Sequence, residues 1–240
     1  MNWSDEGIVL STRKHGENAA IVTLMTRAYG RYAGLVRGGS GSRARGIYQT
    51  GNLVTADWRA RLSEHLGSYT CELLQPHAAL LMTERQQLMA LLSATALVER
   101  LLPEREPHPE VFESLKALIT VLEEDVNWPS GYALWEAGFL NDLGYGLDLS
   151  QCAATGSRED LVYVSPRTGC AVSASAGEPY KDKLFPLPAF LLGRGEIANT
   201  DEILQAFRVT GHFLNVCARD VDGGGIPEAR GRFLDRFSRS

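Results

Sequence analysis

The chain lacks any apolar stretch near the roughly 18 residues that a bilayer span requires; its longest runs resemble Leu187 to Leu192. Its first residues, Met-Asn-Trp-Ser-Asp-Glu, carry two acids where a secretory leader carries positive charge, and no apolar core or small-residue cleavage site follows. A cytoplasmic location with no membrane partner is expected. Cysteine is scarce: Cys71, Cys152, Cys170 and Cys217 are scattered over 240 residues, which suits reduced thiols rather than a disulfide framework. The five histidines (His15, His65, His77, His108, His212) are dispersed, with no HExxH pair, no Gly-x-Ser-x-Gly elbow and no paired-carboxylate motif. Glu123, Glu124 and Asp125 beside Trp128 read as a solvated helix end. A binding protein is expected rather than an enzyme, with no cofactor and no small-molecule substrate.

What is present is an ordinary globular composition, 44% hydrophobic and 22% charged, with a mean hydropathy of -0.14. The net charge of -5 hides a division. Residues 1 to 80 hold nine Lys/Arg against six Asp/Glu, residues 81 to 180 hold six against fifteen, and residues 181 to 240 hold nine against eight. A polyanion meets the local field rather than the global sum. Asn18 to Ala56 is the sharpest case, with five arginines (Arg27, Arg31, Arg37, Arg43, Arg45) and no acid. Such a window can neutralise phosphates and release counterions. Tyr29, Tyr32 and Tyr48 lie among these arginines, and aromatic faces can stack on unpaired bases.

Period and punctuation divide the chain. Short β-type runs at Gly7 to Thr12, Ala19 to Thr26, Tyr32 to Arg37, Asn52 to Arg61 and Ser68 to Leu74 are separated by glycine-rich turns. Five strands in this length predict a small closed barrel, either an OB-fold or an SH3-like one. After Pro76 the period lengthens. One helix is expected over Ala78 to Leu102, ended by Pro103; a second along Val111, Phe112, Leu115, Leu118 and Leu122; a third from Pro129 to Leu143, all three packed together. A hairpin is expected from Leu161 to Ser165 and Gly169 to Ser173, and a last helix capped by Thr200 that ends before the glycines at 223 to 225.

Two segments imitate motifs they do not complete. Arg37-Gly-Gly-Ser-Gly-Ser-Arg43-Ala-Arg45-Gly46 lacks the lysine of a P-loop and reads as a flexible, arginine-flanked loop between strands. Cys152-Ala-Ala-Thr155 and Cys170-Ala-Val-Ser173 have zinc-ribbon spacing, but each second ligand is a hydroxyl. Tetrahedral zinc wants four thiolates or imidazoles, so no metal is expected here.

The order of several tags resembles the bacterial RecO family: Trp3-Ser-Asp-Glu-Gly-Ile-Val-Leu, Gly16-Glu17, Thr26 with Gly30, Val36-Arg-Gly-Gly, Ala56-Asp-Trp-Arg-Ala-Arg61, Leu102-Pro-Glu, Leu143-Gly-Tyr-Gly-Leu-Asp-Leu149, Cys152, Leu187-Pro and Pro227-Glu-Ala-Arg230. The resemblance implies an α+β chain: a five-stranded OB-fold DNA-binding domain at 1–78, then a helical domain at 79–240 with a zinc-ribbon-like insertion at about 150–186. Thr155 and Ser173 depart from the zinc-bearing pattern. It implies binding to single- and double-stranded DNA, annealing of complementary strands, and work with RecR and the C-terminal tail of single-strand-binding protein to load RecA. The residues expected to meet DNA are Arg27, Arg31, Tyr32, Arg37, Arg43, Arg45, Arg59 and Arg61; those expected to meet protein partners are Arg208, Arg219, Arg230 and Arg232. The alternative is an RNA-binding or translation-associated OB protein, which the same basic barrel would serve. A hydrolase using the acidic middle, or an adaptor whose barrel carries no nucleic acid, are the other rivals.

Overall fold

The first five strands close on themselves. The computed structural model describes all residues other than 40, 63, 125, 195–197 and 240, and only the backbone at 42 and 43. Strands β1 (Asn2–His15), β2 (Ala19–Thr26), β3 (Gly30–Arg37), β4 (Leu53–Arg59) and β5 (Ser68–Gln75) form a closed barrel in the order β1-β2-β3-β5-β4. The long β1 pairs with β4 through its first half and with β2 through its second, and the register shifts between Val9 and Ser11. That bulge turns one strand from one side of the barrel to the other. β3 and β5 are parallel and meet at Leu35 and Ser68, which completes the closure. Gly34 makes it possible: a Cβ there would lie 2.5 Å from the Tyr69 ring.

Alternation sorts the side chains. Val9, Val22, Leu24, Tyr32, Val36, Val54, Ala56, Trp58, Tyr69 and Cys71 point inward and form the barrel core with Tyr48. The segment expected to be a flexible loop is instead partly a helix, α1 (Ser42–Ile47). Ala44 and Ile47 pack on the barrel core, and Asn52 donates to the carbonyls of Gly46 (2.9 Å) and Ile47 (3.1 Å). Burial of that apolar edge outweighs the flexibility of the flanking glycines, so only Gly38, Gly39 and Gly41 remain turn-like.

The helix expected over Ala78 to Leu102 is two, α2 (His77–Leu80) and α3 (Arg85–Leu101). Asn52 accepts the Ala78 N–H (3.1 Å) and Glu123 holds His77 Nδ1 (2.6 Å), which fixes the first turn; a turn closed by Glu84 N–H to Leu81 separates it from α3. α4 (Pro109–Glu124) follows. α3 and α4 cover β1 and β2, and α8 (Glu228–Phe237), an element absent from the sequence reading, packs along α3. The barrel, α2, α3, α4 and α8 thus make one compact unit, 1–124 with 227–240.

The second unit spans 125–226. Here α5 (Trp128–Asp142) lies along α7 (Thr200–Asp222), which corrects the expectation that the third helix joins the first two. Tyr132 meets Phe207 edge-on at 5.8 Å, and Thr210 Oγ1 lies 2.5 Å from the buried Glu136 carboxylate. The expected hairpin is β6 (Leu161–Val164) with β7 (Ala171–Ser173), joined by β8 (Phe185–Pro186) into three strands; a short α6 (Ala174–Gly177) follows β7. α7 is capped by Asn199 rather than Thr200: Asn199 accepts from the Glu202 N–H and Glu202 reaches back to the Asn199 N–H, both at 3.0 Å. Gly223, at φ 74°, ends it.

Candidate nucleic-acid interface

The arginines of the acid-free window do not form one cluster. Arg27 pairs with Glu6 (3.0 Å) and with Glu113, and its guanidinium lies 4.9 Å from the Phe112 ring centre. Those bonds, with Lys116 close by, hold the Glu6 carboxyl below its usual range. Arg31 donates to the Leu102 carbonyl (2.9 Å) and pairs with Glu104 (3.2 Å), with its side chain only 18% exposed. Both arginines tie the barrel to the helices and the segment between them, so their charges are matched by carboxylates of this chain. Tyr32 is corrected: at 7% exposure its ring is core, and its carbonyl accepts from Tyr69. Tyr48 is core as well, and burial pushes its hydroxyl well up.

The other cations gather at the opposite end of β3. Arg37 and Arg45 are exposed and have no ion pair among the described residues. A groove of about 440 Å³ is lined by Thr12, Lys14, Ala20, Gly39 and Arg45; beside it, a depression of about 400 Å³ is lined by Arg37, Gly38, Gly41, Ala44 and Ile47 among others. Thr12 Oγ1 donates to the Tyr48 carbonyl (2.7 Å) and fastens β1 to the end of α1. The side chain of Arg43 lies outside the described residues.

Register places further cations on the outer face of the same strands. Arg13 pairs with Ile21, Ile21 with Leu35, Leu35 with Ser68, and Ser68 with Arg59. Ile21, Leu35, Ser68 and Arg59 are each adjacent in their strand to an inward core residue and so face outward, and Arg13 shares the face of its partner Ile21. The next row is His15, Ala19 and Arg37. Cations therefore flank a half-buried strip of Ile21, Leu35 and Ser68. Glu99 accepts from Ser11 Oγ (2.5 Å), where α3 begins to cover the sheet. Arg61 is exposed in the turn after Arg59. Sequence reasoning missed Arg13, Lys14 and His15; the period of two beyond the bulge is the signal that places Arg13 and His15 outward.

The expected partner residues are also divided. Arg208 and Arg219 are exposed on α7, eleven residues apart and hence on one side of the helix, about 16 Å from each other. Arg208 lines a depression of about 220 Å³ with Asp201, Leu204 and Gln205. Arg232 pairs with Glu228 (3.3 Å) on the surface of α8. Arg230 is 3% exposed and is corrected: it belongs to the interior of the first unit.

At the zinc-ribbon-like positions, Cys152 is 1% exposed and its sulfur accepts the Ser173 N–H (3.2 Å). Burial pushes this thiol up, but hydrogen bonds from Ser173, Thr155 and Ala154 outweigh it and bring it down to about 6. Cys170 is half-buried. Among the described residues no group of three or more His, Cys, Asp or Glu is arranged to hold a metal ion, and no helix is long and apolar enough to cross a membrane.

Two family models cover most of the chain: the N-terminal domain of recombination protein O matches residues 1–77, and its C-terminal domain matches residues 82–216. The chain is similar to the DNA repair protein RecO of Rhodospirillum centenum, 48% identical over all of this chain and 96% of the relative. It is similar to those of Roseobacter denitrificans, 46% identical over all of this chain and 99% of the relative, and Afipia carboxidovorans, 46% identical over all of this chain and 97% of the relative. A closed five-stranded OB barrel followed by helices, matched over the full length at this identity, makes the chain a member of the RecO family of DNA repair proteins.

Proposed function

We propose that this chain binds DNA through the outer face of its barrel, anneals complementary strands, and acts with RecR and single-strand-binding protein to promote RecA loading in the cytoplasm. The observation that carries the DNA-binding step is a set of cations at this end of the barrel, Arg13, Arg37 and Arg59 on its outer face and Lys14 and Arg45 in the groove at its rim, whose guanidinium and ammonium groups have no carboxylate partner among the described residues. Both single and duplex DNA present the phosphates such a face neutralises. Annealing needs no bond-making chemistry, only relief of repulsion between two polyanions, so the chain acts here as a binding protein and not as an enzyme. The barrel at 1–78 is the DNA-binding domain; 79–240, with its ribbon-like insertion at about 150–186, supplies the partner surfaces.

For an acidic peptide tail the second unit offers a depression of about 250 Å³ lined by Tyr145, Pro166, Arg167, Phe213 and Val216 among others, apolar with one arginine at its rim. Arg208 and Arg219 are the cations of α7 that favour an acidic partner. Two assays test the proposal: binding to matched DNA and RNA oligonucleotides, and the rate at which complementary DNA strands pair with and without protein. DNA binding with accelerated pairing is expected. A clear preference for RNA would favour the translation-associated alternative, and binding without salt dependence would contradict the cationic face.

A further inference from the structure

Three aromatic rings are piled at the end of the barrel where β3 begins, away from α1. Tyr29, in the β2–β3 turn, lies over Trp3 with ring centres 4.4 Å apart and planes at 13°; Trp3 in turn lies 5.7 Å from Trp58 at 14°. Tyr32 and Tyr69 meet Trp3 edge-on at 5.2 and 5.9 Å. Trp58 is 1% exposed, whereas Tyr29, at the outer end of the pile, is 37% exposed.

The backbone beneath Tyr29 is fixed without help from its ring. The Ala28 N–H donates to the Asp5 carboxylate (2.7 Å), the Tyr29 N–H to Thr26 Oγ1 (3.2 Å), and Thr26 Oγ1 to the Gly30 carbonyl (2.9 Å). Arg27 is held by Glu6 and Glu113. One face of the ring is spent on Trp3, and more than a third of the residue stays exposed. A planar group arriving there meets a surface already ordered, so little freedom is lost on stacking.

The charges nearby permit an anionic chain. Asp5 is occupied by the Glu6 and Ala28 N–H groups, and Glu6 by Arg27 and Lys116. On the other side, the Met1 amino group donates to the Ala60 carbonyl (2.7 Å), Arg59 stands opposite Asn2, and Arg61 follows Ala60. Arg59 is also two strands from Leu35, so Arg59 and Arg61 lie between the ring pile and the cationic face around Arg37.

We propose that Tyr29 is a stacking platform for one unpaired nucleobase of a DNA strand whose phosphates run along the barrel's cationic face. The inference rests on the DNA-binding reading and sharpens it. Bases in a duplex already stack on each other and offer no free face, so this subsite favours single strands.

The test compares wild type, Tyr29→Phe, Tyr29→Ala and an Arg37→Ala/Arg45→Ala variant in the full chain, against single-stranded and duplex DNA of one sequence. Tyr29→Ala is expected to weaken single-strand binding on the order of ten-fold, leave duplex binding unchanged, and be rescued by Phe. A strand carrying 5-iododeoxyuridine is expected to cross-link to the tryptic peptide Ala28–Arg31. Equal losses for both DNA forms would overturn the proposal in favour of a ring that merely shields Trp3. Unchanged single-strand affinity in Tyr29→Ala, with a loss in Arg37→Ala/Arg45→Ala, would overturn it while leaving the cationic face standing. No loss in the arginine variant would count against the DNA-binding reading itself.

Discussion

Arg31 and Arg37 are six residues apart on one strand, yet the structure gives them opposite tasks, and replacing each with alanine separates the two. Arg31 is mostly covered; it donates to the carbonyl of a buried Leu102 at 2.9 Å and pairs with Glu104. Its removal leaves that carbonyl short of a donor and frees the segment whose Arg105 N–H bonds the Arg31 carbonyl (2.8 Å). Loss of a hydrogen bond from a charged donor to a buried acceptor costs about 1–3 kcal/mol, a large share of a domain's stability. Arg37 is exposed and unpaired among the described residues, so its removal costs stability almost nothing. Each lost contact to a single strand lowers the slope of log K against log salt by about 0.7. Urea unfolding and fluorescence anisotropy at several salt concentrations read the two quantities. Arg31→Ala is expected to shift the unfolding midpoint and keep the salt slope; Arg37→Ala is expected to do the reverse. An equal slope loss in both would refute the division of the arginines into binding and bracing groups.

Phe233 of α8 is fully buried in the unit that contains the barrel; Phe233→Ala is expected to cost about 3–5 kcal/mol, and calorimetry should show the loss although the site is more than 150 residues from β5 in sequence. The thiol of Cys152 has its native value lowered to about 6 from an ordinary 9, so its contribution is complete above pH 9 and fades as pH falls through 6. Unfolding midpoints across that range should rise with pH in wild type, and Cys152→Ser should flatten the rise. Gly34→Ala sets a methyl against Tyr69 where β3 meets β5, so far-ultraviolet circular dichroism on heating should show earlier melting.

The barrel was readable because its strands alternate and glycines punctuate them: all five expected runs correspond to strands. β1 is longer at both ends than Gly7 to Thr12, because pairing to β4 recruits Asn2 to Glu6, a stretch with no alternating apolar signal. α1 was hidden by glycine and serine, whose propensities lost to the burial of Ala44 and Ile47. α8 was hidden by its three arginines; only Phe233 and Phe237, four apart, signal the buried side. For the site, composition identified a cation-rich barrel but could not sort it. Sorting depends on where Glu6, Glu104 and Glu113 stand, and two of those come from residues beyond the barrel. Lys14 lay outside the acid-free window by four positions and joins Arg45 only through the closure of the barrel.

The measurement closest to the central claim is the salt dependence of single-stranded DNA affinity in wild type and in Lys14→Ala/Arg37→Ala/Arg45→Ala. Three phosphate contacts correspond to a slope about 2 units shallower in the variant, with an unchanged unfolding midpoint because all three side chains are exposed. An identical slope in the two proteins would contradict the assignment of this face to DNA.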